Sequence, residues 1–312
     1  MVKVAIVQLC VVDKAAPPTQ PLSIQQDTDA KRDLATNLKT IERFLGQAKE
    51  QQADIVVFPE YSLFGVISGR EHLADTDKSY VKLFQELAQK YQVDLVPGTI
   101  VEKDKEDGKL YNYTYYIDKS GEILLTYAKY HLWHPERDYM TASKDGYKVA
   151  QTRHGIKVGL CICWDAIAPE IFRDMCLEHG AQLIICPAYW TFDDCGEKGL
   201  RHNTRSEMLL LNSLCPTRAI ENNCAFVFVN AANNASATPG EDPEEVQYGV
   251  EHLLGRSQIC VPFKGAIGKC DHDRQAMLIR EVDLDLIHDA EDVYKIRRDW
   301  KDGLIYRATH TS

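Results

Sequence analysis

The sequence predicts an α/β layered domain, and three observations predict it. Short runs of consecutive apolar residues alternate with longer segments whose apolar residues recur at helical spacing. The alternation runs through both halves of the 312-residue chain without a Pro-, Ser- or Gly-rich divider, so a single domain over 1–312 is expected. The composition, 45% apolar and 26% charged, is that of a globular protein able to bury a sizeable core.

Residues 2–9 are nearly all apolar and read as a buried first strand. A polar segment over 19–32 follows, and then Leu34, Leu38, Ile41, Leu45 and Ala48 mark a helix. Residues 55–58 form a short apolar strand ending at Pro59. Val81, Phe84, Leu87 and Ala88 repeat the helical spacing within 80–91. Residues 94–100 read as a strand with a break, and 103–109, charged and containing Gly108, as a turn. Residues 111–117 and 123–128 flank Asp118-Lys119-Ser120-Gly121, a hairpin with a four-residue loop. In the second half, 157–163 is a strand, 169–179 a helix with proline in its first turn, and 183–186 a strand closed by Pro187. Residues 207–222 are helical, with Pro216 marking a kink, and 225–230 form another strand. Residues 231–250, rich in Pro, Gly, Asn and acids, read as a surface loop.

Several function classes are disfavoured. The chain carries 46 Asp and Glu against 36 Lys and Arg, a net charge of −10. That balance argues against a nucleic-acid partner and offers no attraction to an anionic membrane. No stretch approaches the ~18 apolar residues of a membrane span, and the first apolar run is too short for a signal peptide. Ten cysteines are scattered without a C-x-x-C pair, so reduced thiols in a cytoplasmic protein are expected. The glycine-rich nucleotide cradles, H-E-x-x-H, zinc spacings and the G-x-S-x-G elbow are all missing, so no metal site is expected.

Three segments put a reactive group where an apolar strand ends. They are Phe58-Pro59-Glu60-Tyr61, Tyr127-Ala128-Lys129-Tyr130-His131 and Leu160-Cys161-Ile162-Cys163-Trp164-Asp165. Each has a plain structural reading alone: a charged residue opening a loop, a snorkelling lysine, a buried inert thiol. Together they supply a base, a cation that can stabilise a thiolate, and a nucleophile. If their strands share a sheet, Glu60, Lys129 and Cys163 converge at one rim.

These residues resemble the nitrilase superfamily of carbon–nitrogen hydrolases, whose hallmark is Glu, Lys and Cys in that chain order. The matching motifs are Phe58-Pro59-Glu60, Tyr127-x-Lys129-x-His131-Leu132 and Gly159-Leu160-Cys161-Ile162-Cys163-Trp164-Asp165 followed by Pro169-Glu170. Downstream, Arg218-Ala219-Ile220-Glu221-Asn222, Val229-Asn230, Gly255-Arg256-Ser257-Gln258-Ile259 and Glu281-Val282-Asp283-Leu284 extend the likeness over essentially the whole chain. The resemblance implies a four-layer α-β-β-α sandwich that pairs helix layers in a homodimer or larger homo-oligomer. It makes Cys163 the catalytic cysteine rather than Cys161, and Glu136 a second glutamate that orients substrate or lysine. It implies attack by Cys163, proton transfer by Glu60, and an oxyanion held by Lys129 and the Trp164 backbone N–H. No metal or organic cofactor is needed for that chemistry.

The bond cleaved is less legible. Cys163-Trp164-Asp165 is similar to the amidase-like members, whereas nitrilases tend to carry Glu after the tryptophan. Ala166, Ile167 and Ala168 offer no cation for a substrate carboxylate, although Arg137, Arg201 or Arg205 could supply one from a loop. Trp133, Tyr189, Trp190 and Phe192 are candidates for an aromatic pocket. The favoured expectation is hydrolysis of a neutral or weakly polar small-molecule amide. The alternatives are a nitrile substrate, an N-carbamoyl amidohydrolase, a catalytically silent binding protein and a thiol-redox role for Cys161 and Cys163.

Overall fold

The computed structural model of the protein describes residues 1–13, 27–233, 248–249 and 251–305. Most of the surface loop expected over 231–250 lies outside the described residues.

The first half builds one sheet. Its strands are β1 (Val2–Gln8), β2 (Ile55–Val57), β3 (Asp94–Val96), β4 (Ile100–Lys103), β5 (Leu110–Ile117) and β6 (Ile123–Ala128). The second sheet holds β7 (Val149–Gln151), β8 (Lys157–Leu160), β9 (Leu183–Ala188), β10 (Ala225–Asn230), β11 (Gln258–Val261) and β12 (Gly265–Lys269). A last strand, β13 (Ala276–Val282), returns to the first sheet and pairs antiparallel with β1, Val4 opposite Arg280. The spatial orders are β13-β1-β2-β3-β5-β4, with β6 on β5, and β12-β11-β10-β9-β8-β7. Each sheet has a parallel centre: β1-β2-β3 in one and β8-β9-β10 in the other. Parallel neighbours require crossover helices. The helices α1 (Thr28–Glu50) and α2 (Ser79–Tyr91) serve the first sheet. In the second, α3 (Pro169–Arg173), α4 (Gly196–His202) and α5 (Ser206–Glu221) follow β8 and β9, and α6 (Asp285–Tyr294) and α7 (Ile296–Lys301) come after β13.

The period-2 alternation of strand side chains separates the layers. Val4, Ile6, Ile55, Val57 and Val96 face the second sheet and pack in one core with Val158, Leu160, Ile185 and Val227. Their neighbours Ala5, Val7, Val56 and Leu95 point the other way, against Ile41 and Leu45 of α1 and Phe84 and Leu87 of α2. On the far side of the second sheet, Leu211, Leu214 and Cys215 of α5 and Phe172 of α3 complete the inner core. The result is the four-layer α-β-β-α sandwich expected from the resemblance. Among the described residues no helix is long and apolar enough to cross a membrane.

The break expected within 94–100 falls at 97–99, where Pro97 lacks an N–H and Gly98 takes φ +87°. Two elements differ from the sequence expectation. The strand over 157–163 stops at Leu160, and Cys163 opens a 3-10 turn, Cys163–Ile167. The helix over 169–179 changes after Arg173 into a wider π turn, Asp174–Glu178. Pro216 does not end α5, which runs through it.

Candidate active site

Glu60 stands three residues beyond β2, Lys129 directly after β6, and Cys163 three residues beyond β8. The condition that their strands share a sheet is not met: β2 and β6 belong to the first sheet and β8 to the second. The side chains meet instead between the facing sheets, whose spacing of about 10 Å is within the reach of a lysine and a glutamate.

The turn carrying Glu60 rests on the break between β3 and β4. Phe58 N donates to Val96 O (2.9 Å), Tyr61 N to Thr99 Oγ1 (3.0 Å) and Ser62 Oγ to Pro97 O (2.6 Å). Glu60 N reaches across to Ala188 O at the end of β9 (3.3 Å). The approach is so close that a Cβ on Gly98 would lie 1.9 Å from Pro59 O. Lys129 N donates to Asn112 O (2.9 Å), which continues the β5–β6 ladder by one residue and aims the lysine inward.

Glu60 and Lys129 are almost wholly buried, at 0% and 1% exposure, and Cys163 is 6% exposed. Lys129 Nζ donates to Glu60 Oε1 (2.9 Å) and to Glu136 Oε1 (2.7 Å). Asn112 Nδ2 also donates to Glu60 Oε1 (2.8 Å), and Glu60 Oε2 accepts no hydrogen bond from the described residues. Glu136, in the 3-10 turn His134–Asp138, accepts the Trp133 N–H on Oε2 (2.7 Å) and the Tyr61 hydroxyl on Oε1. An ammonium has three N–H donors. Two are engaged by carboxylates, which leaves one for a third acceptor.

Cys163 has φ +47°, a left-handed conformation that a non-glycine residue holds only when its surroundings impose it. Two side chains impose it. Asp165, fully buried, accepts the Ile162 N–H (2.9 Å), the Tyr127 hydroxyl (2.8 Å) and the His131 N–H (2.8 Å), with His131 Nδ1 3.0 Å away. It thus ties the cysteine turn to the lysine loop. Arg218 of α5 clamps the turn's other end, Nε donating to Ala166 O (3.0 Å) and Nη2 to Ile167 O (2.8 Å). Cys163 Sγ sits 3.9 Å from Tyr189 O.

The electrostatics follow from two carboxylates sharing one ammonium. Burial pushes Glu60 up to about 7; Lys129 opposes the rise and Glu136 adds to it. Burial alone would lower the Lys129 ammonium, but Glu136 and Glu60 outweigh it and hold the group charged, well above its ordinary value. Burial and then Glu60 push the Cys163 thiol well up, with Lys129 only partly offsetting them. The raised Cys163 sulfur favours the thiol over the thiolate that the lysine alone would favour, so acting as a nucleophile it would need a base.

Cys163 opens into a cavity of about 210 Å³. Trp133, Trp164, Tyr189 and Trp190 line it, with Glu136 at its base. Trp164 packs against Trp133 and Trp190 at ring-centroid distances of 4.5 and 5.5 Å. Trp190 is fixed by Asn230, which accepts its N–H (2.7 Å) and donates to its carbonyl (3.0 Å), and by Glu207, which accepts the indole N–H (2.6 Å). Phe192 is buried but does not line the cavity, and neither do Arg137, Arg201 or Arg205, all exposed. Sequence reasoning missed Asn112, Tyr61, Tyr139, Asp194 and Glu251, of which the last four line the cavity. A signal existed for Asn112: an amide within the aromatic strand Leu110–Ile117 runs against strand preference. Cys161 and Cys163 form no disulfide, as all ten cysteines are free. Positions i and i+2 share a face on a regular strand, but the turn at Cys163 takes its thiol out of the strand's register.

Comparison with known proteins agrees with this geometry. The chain is 31% identical over 211 residues to a 2-oxoglutaramate amidase of Bacillus subtilis, covering 66% of this chain and 73% of that protein. It is 26% identical over 285 residues to a probable hydrolase, YhcX, of the same organism; the match covers 88% of this chain but only about half, 52%, of that longer relative. Among solved structures, a carbon–nitrogen hydrolase from Helicobacter pylori shares the fold with a TM-score of 0.76 at 21% identity, over 98% of this chain and 99% of that one. The family model for carbon–nitrogen hydrolases matches residues 3–292. With the motifs of the nitrilase superfamily, its four-layer sandwich and that match along nearly its whole length, the chain belongs to the carbon–nitrogen hydrolase family, hydrolases of carbon–nitrogen bonds other than peptide bonds.

Proposed function

We propose that the protein hydrolyses a non-peptide amide through a thioester on Cys163, with Glu60 as proton carrier and Lys129 as oxyanion partner. The observation that carries this reading is the buried Glu60–Lys129–Glu136 chain of charges, whose Glu136 end lines the same cavity as Cys163. Cys163 Sγ attacks the amide carbon as Glu60 takes the thiol proton. The carbonyl oxygen becomes an oxyanion, stabilised by the third N–H of Lys129 and the Trp164 backbone N–H. Glu60 returns its proton to the departing nitrogen, and ammonia or an amine leaves. Water, deprotonated by Glu60, then cleaves the thioester to the acid and restores the thiol. A carboxyl group poised near 7 suits both directions of transfer. Glu136, itself held by Tyr61 and the Trp133 N–H, positions Lys129.

The amide reading is favoured over the nitrile reading by Asp165 in Cys163-Trp164-Asp165, where nitrilases tend to carry glutamate. The amidase name of the Bacillus subtilis relative supports the same reaction class. The test is ammonia release from a panel of small amides, carbamoyl compounds and nitriles, with Cys163→Ala run beside the wild type. Amide turnover that vanishes in the variant, while its circular dichroism is unchanged, is expected. Turnover that persists in Cys163→Ala overturns the assignment.

A further inference from the structure

The cavity wall away from the nucleophile is acidic. Tyr189 spans the distance: its carbonyl lies 3.9 Å from Cys163 Sγ, and its hydroxyl, at the other end of the side chain, donates to Glu251. Glu251 and Asp194 both line the cavity, and no lysine or arginine among the described residues does. The nearby cations are engaged elsewhere. Lys129 is held by Glu60 and Glu136, and the Arg70 guanidinium donates to Phe64 O (3.2 Å) and Val66 O (2.8 Å). Further acids stand near the wall: Glu207 helps to raise the Asp194 carboxyl, and Glu251 helps to raise that of Asp13. Asp194 Oδ2 accepts the Thr191 N–H (2.8 Å), yet burial, with Glu207 and Asp193 adding to it, pushes its carboxyl up to about 7.

Glu251 is exposed, whereas Asp194 is largely desolvated, and a desolvated carboxylate without a counter-charge is costly. Aromatic faces beside it are a further attraction for a cation, and Trp133, Trp164, Tyr189 and Trp190 provide them. The same wall repels a substrate carboxylate. We propose that the substrate is a cationic amide or ureido compound: an ammonium or guanidinium group on a short alkyl chain, seated between Glu251, Asp194 and the aromatic wall, while the scissile carbonyl meets Cys163. The inference rests on the Cys163 hydrolase reading. It replaces the neutral or weakly polar substrate expected from sequence.

The test compares matched pairs: 6-aminohexanamide with heptanamide, and 4-aminobutylurea with pentylurea. In at least one pair the cationic compound is expected to have the higher kcat/KM by about tenfold or more, the effect of one charge-assisted contact. That ratio should fall towards one in Glu251→Gln, and also in Asp194→Asn if the latter folds. A neutral member that matches or exceeds its cationic partner in both pairs overturns the proposal, as does a cation preference that survives Glu251→Gln undiminished. Failure of the hydrolase reading has a different signature: no Cys163-dependent turnover of any compound. Calorimetric binding to Cys163→Ala then decides, with about tenfold tighter binding of a cationic member, lost in Glu251→Gln, supporting the cation site. Equal binding, or none, refutes it.

Discussion

In the proposed mechanism the chemistry turns on Glu60, whose environment sets a measurable pH dependence. With its carboxyl pushed up to about 7, the fraction able to accept the thiol proton falls as pH drops through that value. kcat/KM should therefore show an acidic limb near pH 7, and a profile flat down to pH 5 would contradict the role. The stability consequence has a fixed sign. A carboxyl raised from its ordinary 4.5 contributes most to stability below that pH and loses its contribution as pH rises through about 7. Glu60→Gln should remove this slope from a plot of Tm against pH. Lys129 offers a second test. It keeps its charge at every working pH, so Lys129→Met should cost at least ~10²-fold in kcat through loss of an oxyanion donor; near-wild-type turnover would make the lysine merely structural. Glu60, Lys129 and Cys163 were legible in sequence because reactive groups interrupt apolar strand ends, and Trp133, Tyr189 and Trp190 as aromatic candidates, whereas Glu136 and Trp164 came through the resemblance to the nitrilase superfamily. Asn112 and Asp165 were not legible as positioning groups, because their partners lie 52 and up to 38 residues away.

At the scale of elements, the site depends on turns rather than on strands. Pro97-Gly98-Thr99 forms the break within 94–100, and the gap is the seat of the Glu60 turn. Gly98→Ala should strain both a left-handed backbone and the 1.9 Å approach to Pro59 O. A loss of roughly 1–3 kcal/mol in stability is expected, with a fall in kcat as Glu60 shifts; denaturant unfolding and steady-state kinetics on one preparation check both. Likewise the strand expected to reach Cys163 ends early because Asp165 and Arg218 capture the chain and bend it. Helices were easier to place. The apolar spacing of α1 and α2 follows from burial of one face, a purely local pattern, whereas the start of α1 at Thr28 depends on Asp27 accepting the Ala30 N–H (2.8 Å).

The whole molecule is two αβ units back to back, and one buried amide fastens them. Gln8, at the end of β1, donates to His272 O (2.9 Å) and Arg274 O (2.6 Å) and accepts the Ser257 N–H (3.0 Å) from beside the second sheet. Gln8→Ala removes all three of these hydrogen bonds at once, and a loss of about 2 kcal/mol or more is expected. A Tm within a degree of wild type would show that water replaces the amide without cost. The fastening bears on function, since Glu60 and Lys129 ride on one sheet and Cys163 on the other. Any change that slides the sheets separates base from nucleophile.

The class of fold, the order of the central strands and helices, and the identity of Glu60, Lys129 and Cys163 could all be read along the chain. They are written in local signals: apolar runs, helical spacing, and reactive residues at strand ends. Three matters depended on contacts between residues far apart in sequence. The triad assembles across two sheets instead of along one. Burial, only partly offset by the Lys129 ammonium, pushes the Cys163 thiol well up and Glu60 to about 7. The cavity wall is acidic because Glu251, in an otherwise unremarked loop, meets the hydroxyl of Tyr189. Burial and charge coupling depend on what surrounds a group in space, and only tertiary packing decides that.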